Sequence, residues 1–153
     1  MADALAQYRD LEEAAARGLR VLVVEDHPVN RQIMTLMLER LPARVTCAEN
    51  GAEGVEAFLR QAFDVVLMDL RMPLMDGYEA MRRIRAAEAV SGAARTPIVV
   101  ISAHTTPKDV KVASDAGADH HLGKPLHIPE LLSTLDRVLQ AKASVARPDQ
   151  RQA

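Results

Sequence analysis

DVVLMD, Asp64 to Asp69, is the most strand-like run of the chain: four apolar residues between two carboxylates. A short run with no polar alternation suits a strand covered on both faces, because neither side meets water. Three other runs end in the same way. VLVV (Val21 to Val24) leads into Glu25 and Asp26, PIVVI (Pro97 to Ile101) into Ser102, and HHLG (His120 to Gly123) into Lys124 and Pro125. RVTCA, Arg44 to Ala48, reads as one more strand.

Between these runs the apolar spacing becomes helical. Val29, Ile33, Leu36, Met37 and Leu41 follow Pro28, a residue suited to a first helical turn. Asn50-Gly51 signals a turn before a helix carrying Val55, Ala57, Phe58 and Leu59. After RMPLMDG, Tyr78, Met81, Ile84 and Arg85 share a face; Asp76 caps that helix and Gly77 permits its tight entry. Thr106 to Ala116 predicts a helix stopped by Gly117, and Ile128 to Leu139 predicts the last one. Five strand–helix units in series imply an α/β fold: a doubly wound parallel sheet with right-handed crossovers and helices on both faces. Ligands of such sheets bind beyond the carboxyl ends of the strands.

The 153 residues fit one domain, 19–141, with a helical extension or linker over 1–18 and a polar, disordered tail over 142–153. Residues 2 to 17 place Leu5, Tyr8, Leu11 and Ala15 on one stripe, and Gly18 ends it. That helix either docks on the domain or frays in solution, or else it belongs to an interdomain or dimerising segment. A formal charge of −2 argues against wholesale nucleic-acid binding. No secretory core and no apolar run of about 18 residues is present, so no membrane span is expected and a cytoplasmic location is the default. The single Cys47 excludes an internal disulfide and, alternating with Val45, reads as a small packed strand residue.

Gathered at one sheet edge, Glu25, Asp26, Asp69, Ser102 and Lys124 would put three carboxylates beside a cation and a hydroxyl. That set suits a hard divalent metal and a phosphoryl group. Taken singly, each has an ordinary reading: Asp26 as a helix cap, Glu25 and Lys124 as a solvated pair, Ser102 as a backbone partner. Their joint placement favours a site. His104, His120, His121 and His127 have no spacing that closes a tetrahedral zinc centre.

The motifs VLVVEDHPVNR, DVVLMDLRMPLMDG, TPIVVISA and AGADHHLGKP, in that order, resemble the receiver domain of two-component signalling over residues 20 to about 141. VEDHPVNRQIM and MDLRMPLMDGYEA are most similar to receivers of hybrid histidine kinases and phosphorelays. The resemblance implies a flavodoxin-like sheet of order 2-1-3-4-5. It implies Asp69 as phosphoacceptor, with Mg²⁺ held by Glu25, Asp26, Asp69 and the backbone carbonyl of Arg71. Lys124 and Ser102 would each contact a phosphoryl oxygen, and Pro125 would follow a cis peptide. Ser102 and His121 take the switch positions; similar domains usually carry Tyr or Phe where this chain has His121, which offers less packing area. Arg71 and His104 flank the pocket as modulators.

The implied donor is a histidine kinase or histidine phosphotransfer domain docking near the first core helix, with Met34, Met37 and Leu38 as part of its surface. About a dozen polar residues follow the last helix, so the expected output is a protein contact. It would use the face formed by helix 106–116, strand 119–123 and helix 128–139. The domain would catalyse its own phosphorylation and dephosphorylation rather than turn over a separate substrate. Two other classes compete. An aspartyl-nucleophile phosphatase of the haloacid-dehalogenase type expects a second Asp where Arg71 stands. A receiver-shaped, non-phosphorylated module would not need Glu25, Asp26, Asp69, Ser102 and Lys124 together.

Overall fold

A computed structural model describes residues 6–146. Strands β1 (Leu19–Val24), β2 (Ala43–Ala48), β3 (Val65–Asp69), β4 (Ile98–Ser102) and β5 (His120–Gly123) form one parallel sheet in the order β2-β1-β3-β4-β5. The helices are α1 (Arg9–Ala16), α2 (Pro28–Leu38), α3 (Gly51–Arg60), α4 (Gly77–Ser91), α5 (Pro107–Ala116) and α6 (Ile128–Ala146). Every residue of β3 and β4 is buried, which is why those runs carry no polar alternation. Val21, Val23, Val65, Leu67, Val99 and Ile101 face the layer of α1, α2 and α6. Leu22, Val24, Val66, Met68, Ile98 and Val100 face the layer of α3, α4 and α5. Burial of each such side chain is worth roughly 1.5–3 kcal/mol.

Helix starts follow local chemistry. The side chains of Asn50 and Asp76 accept from the N–H groups of Glu53 and Glu79 at 2.9 Å each, and Thr106 and Asp109 form a reciprocal capping box. At the amino-terminal edge of β4 and β5, Arg85 donates to the carbonyls of Thr96 and Gly117 and to the carboxylates of Glu88 and Asp119. Asp119 also accepts from the Ile98 N–H at 2.8 Å and from Arg95. One side chain thereby pins α4 and the starts of two strands.

Three expectations are corrected. On α2, Val29, Ile33 and Leu36 are 56%, 43% and 54% exposed, while Met34 and Leu38 are buried. Both stripes have helical spacing, and only the position of the sheet decides which one is covered. Cys47 is exposed, because β2 is the edge strand and its outer half is open; its sulfur lies 3.7 Å from Thr35 Oγ1. Helix α6 continues to Ala146, past the boundary at 141, with no Gly or Pro to stop it before Pro148. The rest of the tail, and Leu5 of the proposed stripe, lie outside the described residues.

Helix α1 docks on the domain. Leu11 is fully buried, and Ala14 and Ala15 are also covered. Tyr8, the residue before α1, offers no side-chain cap, but the Leu11 N–H donates to Asp136 Oδ1 of α6 at 3.0 Å. A carboxylate from another helix thus serves the first turn of α1, where the helix dipole favours negative charge. Gly18, at φ +87°, then turns the chain into β1. Leu11→Ala is expected to cost about 2–5 kcal/mol. Urea unfolding measures it, and an unchanged midpoint would mean that α1 is not part of the cooperative core.

Candidate functional site

Parallel register assembles the site. Val24 of β1 pairs with Met68 of β3, so Glu25 comes level with Asp69 at the carboxyl edge. Asp69 pairs with Ile101 of β4, and Ser102 with Gly123 of β5, which brings Ser102 and Lys124 to the same edge. Glu25, Asp69 and Ser102 are 1%, 6% and 4% exposed, whereas Asp26 reaches solvent. One oxygen from each of Glu25, Asp26 and Asp69 lies within 4.8 Å of the others. Lys124 Nζ stands 3.3 Å from Glu25 Oε1 and 3.4 Å from Asp69 Oδ1.

This arrangement leaves negative charge poorly compensated. Burial and the adjoining Glu25 carboxylate push Asp69 up to about 6, against the pull of Lys124. Glu25 Oε2 is buried without a hydrogen-bond partner among the described residues. An orphaned carboxylate oxygen within a three-carboxylate set suits a hard divalent cation that takes oxygen ligands and retains waters. The residues present therefore fit Mg²⁺.

The surrounding residues hold this edge in shape. A Cβ on Gly77 would stand 2.2 Å from the Asp69 carbonyl oxygen, so only glycine lets α4 start this close to β3; its N–H donates to the Leu70 carbonyl. Asp76 caps the same helix, and the Lys124–Pro125 peptide is cis. Arg31, which the motif reading passed over, donates to the carbonyls of Glu25 at 3.0 Å and Asp26 at 3.3 Å. It positions the loop carrying both acids. Its one sequence signal was a cation in the first turns of α2, too common a feature to single out.

Arg71 and His104 are exposed at the rim. The His104 N–H donates to Ser102 Oγ at 3.0 Å, and His121 Nε2 lies 3.0 Å from the His104 carbonyl oxygen. His121 Nδ1 is buried and unpartnered among the described residues. The histidines form no metal set: among the described residues only Glu25, Asp26 and Asp69 bring ligand atoms together. Met34 and Leu38 belong to the core, which corrects their assignment to a docking surface. The outward stripe is Val29, Ile33 and Leu36, and Ile33 also lines a groove of about 530 Å³ with Asn30, Lys124, Pro125 and Leu126.

The response regulator receiver domain family matches residues 21–136. The chain belongs to that family: it is a receiver domain of the phosphorelay type with a flavodoxin-like fold. It is 38% identical over 136 residues to the sensory/regulatory protein RpfC of Xanthomonas campestris pv. campestris, covering 88% of this chain and 18% of that protein. The chain thus spans less than a fifth of that curated relative. The receiver domain of the sensor histidine kinase PA1611 from Pseudomonas aeruginosa, solved with magnesium coordinated in its active-site cleft, superimposes with a TM-score of 0.73 at 38% identity. That match covers 80% of this chain and 98% of the other. The receiver domain of Ssk1 from Saccharomyces cerevisiae, solved with the histidine phosphotransfer protein Ypd1, gives 0.74 at 28% identity over 77% and 86% of the two chains.

The raised Asp69 value makes stability depend on pH. A carboxyl that titrates at about 6 when folded and at 3.8 when free stabilises fully below 3.8, and this contribution is lost as pH rises through 6. In metal-free protein, Asp69→Asn is therefore expected to be more stable than wild type at pH 8, by on the order of 2 kcal/mol. The advantage shrinks toward pH 4, as paired urea melts at the two pH values would register.

Proposed function

We propose that Asp69 accepts a phosphoryl group from a phosphohistidine donor and that Glu25, Asp26 and Asp69, with the Arg71 backbone carbonyl, hold Mg²⁺ during the transfer. The buried carboxylate pair with its orphaned Glu25 oxygen carries this reading. A carboxylate oxygen of Asp69 attacks phosphorus, the P–N bond to the donor imidazole breaks, and the donor leaves as a histidine. Mg²⁺ held by these residues would supply charge neutralisation for the transfer. Lys124, already within 3.4 Å of Asp69 Oδ1, pairs with a phosphoryl oxygen as a point charge. Ser102 Oγ accepts from the His104 N–H, which leaves its own O–H free to donate to another.

Arg71 and His104, at the rim, tune how water reaches the acyl phosphate. When Ser102 turns to the phosphoryl group, its bond from the His104 N–H is the one at risk, and His121 feels that loop through the same residue. The response then reaches the face of α5, β5 and α6, where a downstream protein binds. No separate substrate is turned over. No helix among the described residues is long and apolar enough to cross a membrane, and we place this domain on the cytoplasmic side. Residues 19–146 form the receiver unit, with α1 appended to it.

The donor is a histidine kinase or a phosphotransfer domain similar to Ypd1, seated on Val29, Ile33 and Leu36 and the groove leading to Lys124. These exposed apolar residues suit a helical partner with an apolar face. Incubation with acetyl phosphate and Mg²⁺ should add one phosphoryl group to wild type and none to Asp69→Asn by intact mass. An adduct on both proteins would refute the acceptor assignment. Ile33→Glu should slow transfer from a phosphorylated histidine-containing donor about tenfold or more. The same variant should leave acetyl phosphate labelling unchanged, since that small donor needs no docking face.

A further inference from the structure

A cleft of about 510 Å³ opens at the amino-terminal edge of the sheet, opposite Asp69, between the exit of α1 and the starts of β1 and β2. Ala14, Arg17, Gly18, Arg20, Arg44 and Asp64 line it. Three arginines therefore line one concavity in a chain whose formal net charge is −2.

The one carboxylate there is already engaged. The Arg20 N–H donates to Asp64 Oδ2 at 2.8 Å, the Arg20 guanidinium reaches both carboxylate oxygens at 3.4 Å, and Lys142 Nζ lies 3.7 Å from Oδ1. Burial works to raise the Asp64 carboxyl, but the Arg20 backbone and guanidinium, and then Lys142, hold it below its usual range and so keep it charged. Arg17 and Arg44 have no carboxylate within 4.0 Å among the described residues. Three arginines and one acid thus line the cleft, which leaves it with an excess of positive charge.

We propose that this cleft is a second site, for a small diphosphate-class anion, with Arg17 and Arg44 as its principal contacts. Guanidinium forks match paired phosphate oxygens, and the cleft volume falls within the range of small-ligand sites. No aromatic side chain lines it, so it has no platform for a nucleobase and reads phosphate alone. Arg17 is the residue that closes α1, and Arg44 lies in edge strand β2. A ligand held by both bridges the docked helix to the sheet and strengthens that docking by mass action. The site is independent of the phosphoryl chemistry at Asp69, which lies at the other end of the strands.

Inorganic pyrophosphate, titrated without magnesium into the full chain, tests this by amide and arginine side-chain NMR shifts. Saturable shifts at Arg17, Gly18, Arg20 and Arg44 are expected. The double variant Arg17→Gln/Arg44→Gln should weaken the midpoint by about tenfold or more. It should still be labelled by acetyl phosphate and Mg²⁺ at the wild-type rate, a readout that also shows the variant to be folded. Shifts that fail to saturate, spread evenly over the basic residues, or persist in the double variant overturn the proposal.

Discussion

Glu25 and Asp69 sit side by side at the ends of adjacent parallel strands, almost out of water, with one lysine ammonium at 3.3 and 3.4 Å. Two anions against one cation in a weakly polarisable setting is an arrangement that folding alone would not select. The sheet can carry it because both of its faces are packed and the register leaves no freedom to separate the two carboxylates. A buried carboxylate pair shared by a single lysine marks where stability gives way to chemistry. Burial, and then this interaction, raise the Asp69 carboxyl, while Glu25 Oε2 has no partner among the described residues.

The two edges of the sheet are built differently. At the amino-terminal edge, Arg85 and Asp119 tie α4, β4 and β5 together through several charge-assisted hydrogen bonds. At the carboxyl edge Ser102 and His121 are linked through the peptide groups of His104, beside the Lys124 and Arg31 contacts to the acidic residues. The His121 ring nitrogen supplies a directional contact to the His104 carbonyl that an apolar ring would lack.

Helix α1 shows how a weakly determined segment becomes structure. An eight-residue helix is too short to hold itself in water. Burial of Leu11 and the acceptor lent by Asp136 supply what the local sequence lacks. Once docked, its exit sets Arg17 beside Arg20 and Arg44, so the basic cleft exists only because of that tertiary contact.

Local chemistry in the sequence determined most of the architecture. Apolar runs too continuous for a one-sided strand, with helical spacing between them, define a parallel sheet with both faces covered. Strands ending in Glu25, Asp69, Ser102 and Lys124 then place the site, because parallel strands finish at one edge. What composition and spacing left open depended on contacts between distant residues. Val29, Ile33 and Leu36 are as helical in pattern as Met34 and Leu38, and only the sheet beneath α2 determines which stripe is buried. Cys47 is exposed because, among the described residues, no strand flanks β2 on its outer side. Arg31 acquires its role from folding back onto two carbonyls, and the orphaned Glu25 oxygen from the crowding of another strand's carboxylate. Patterns along the chain report what each segment can bury, whereas pairings across it are decided only when the layers close.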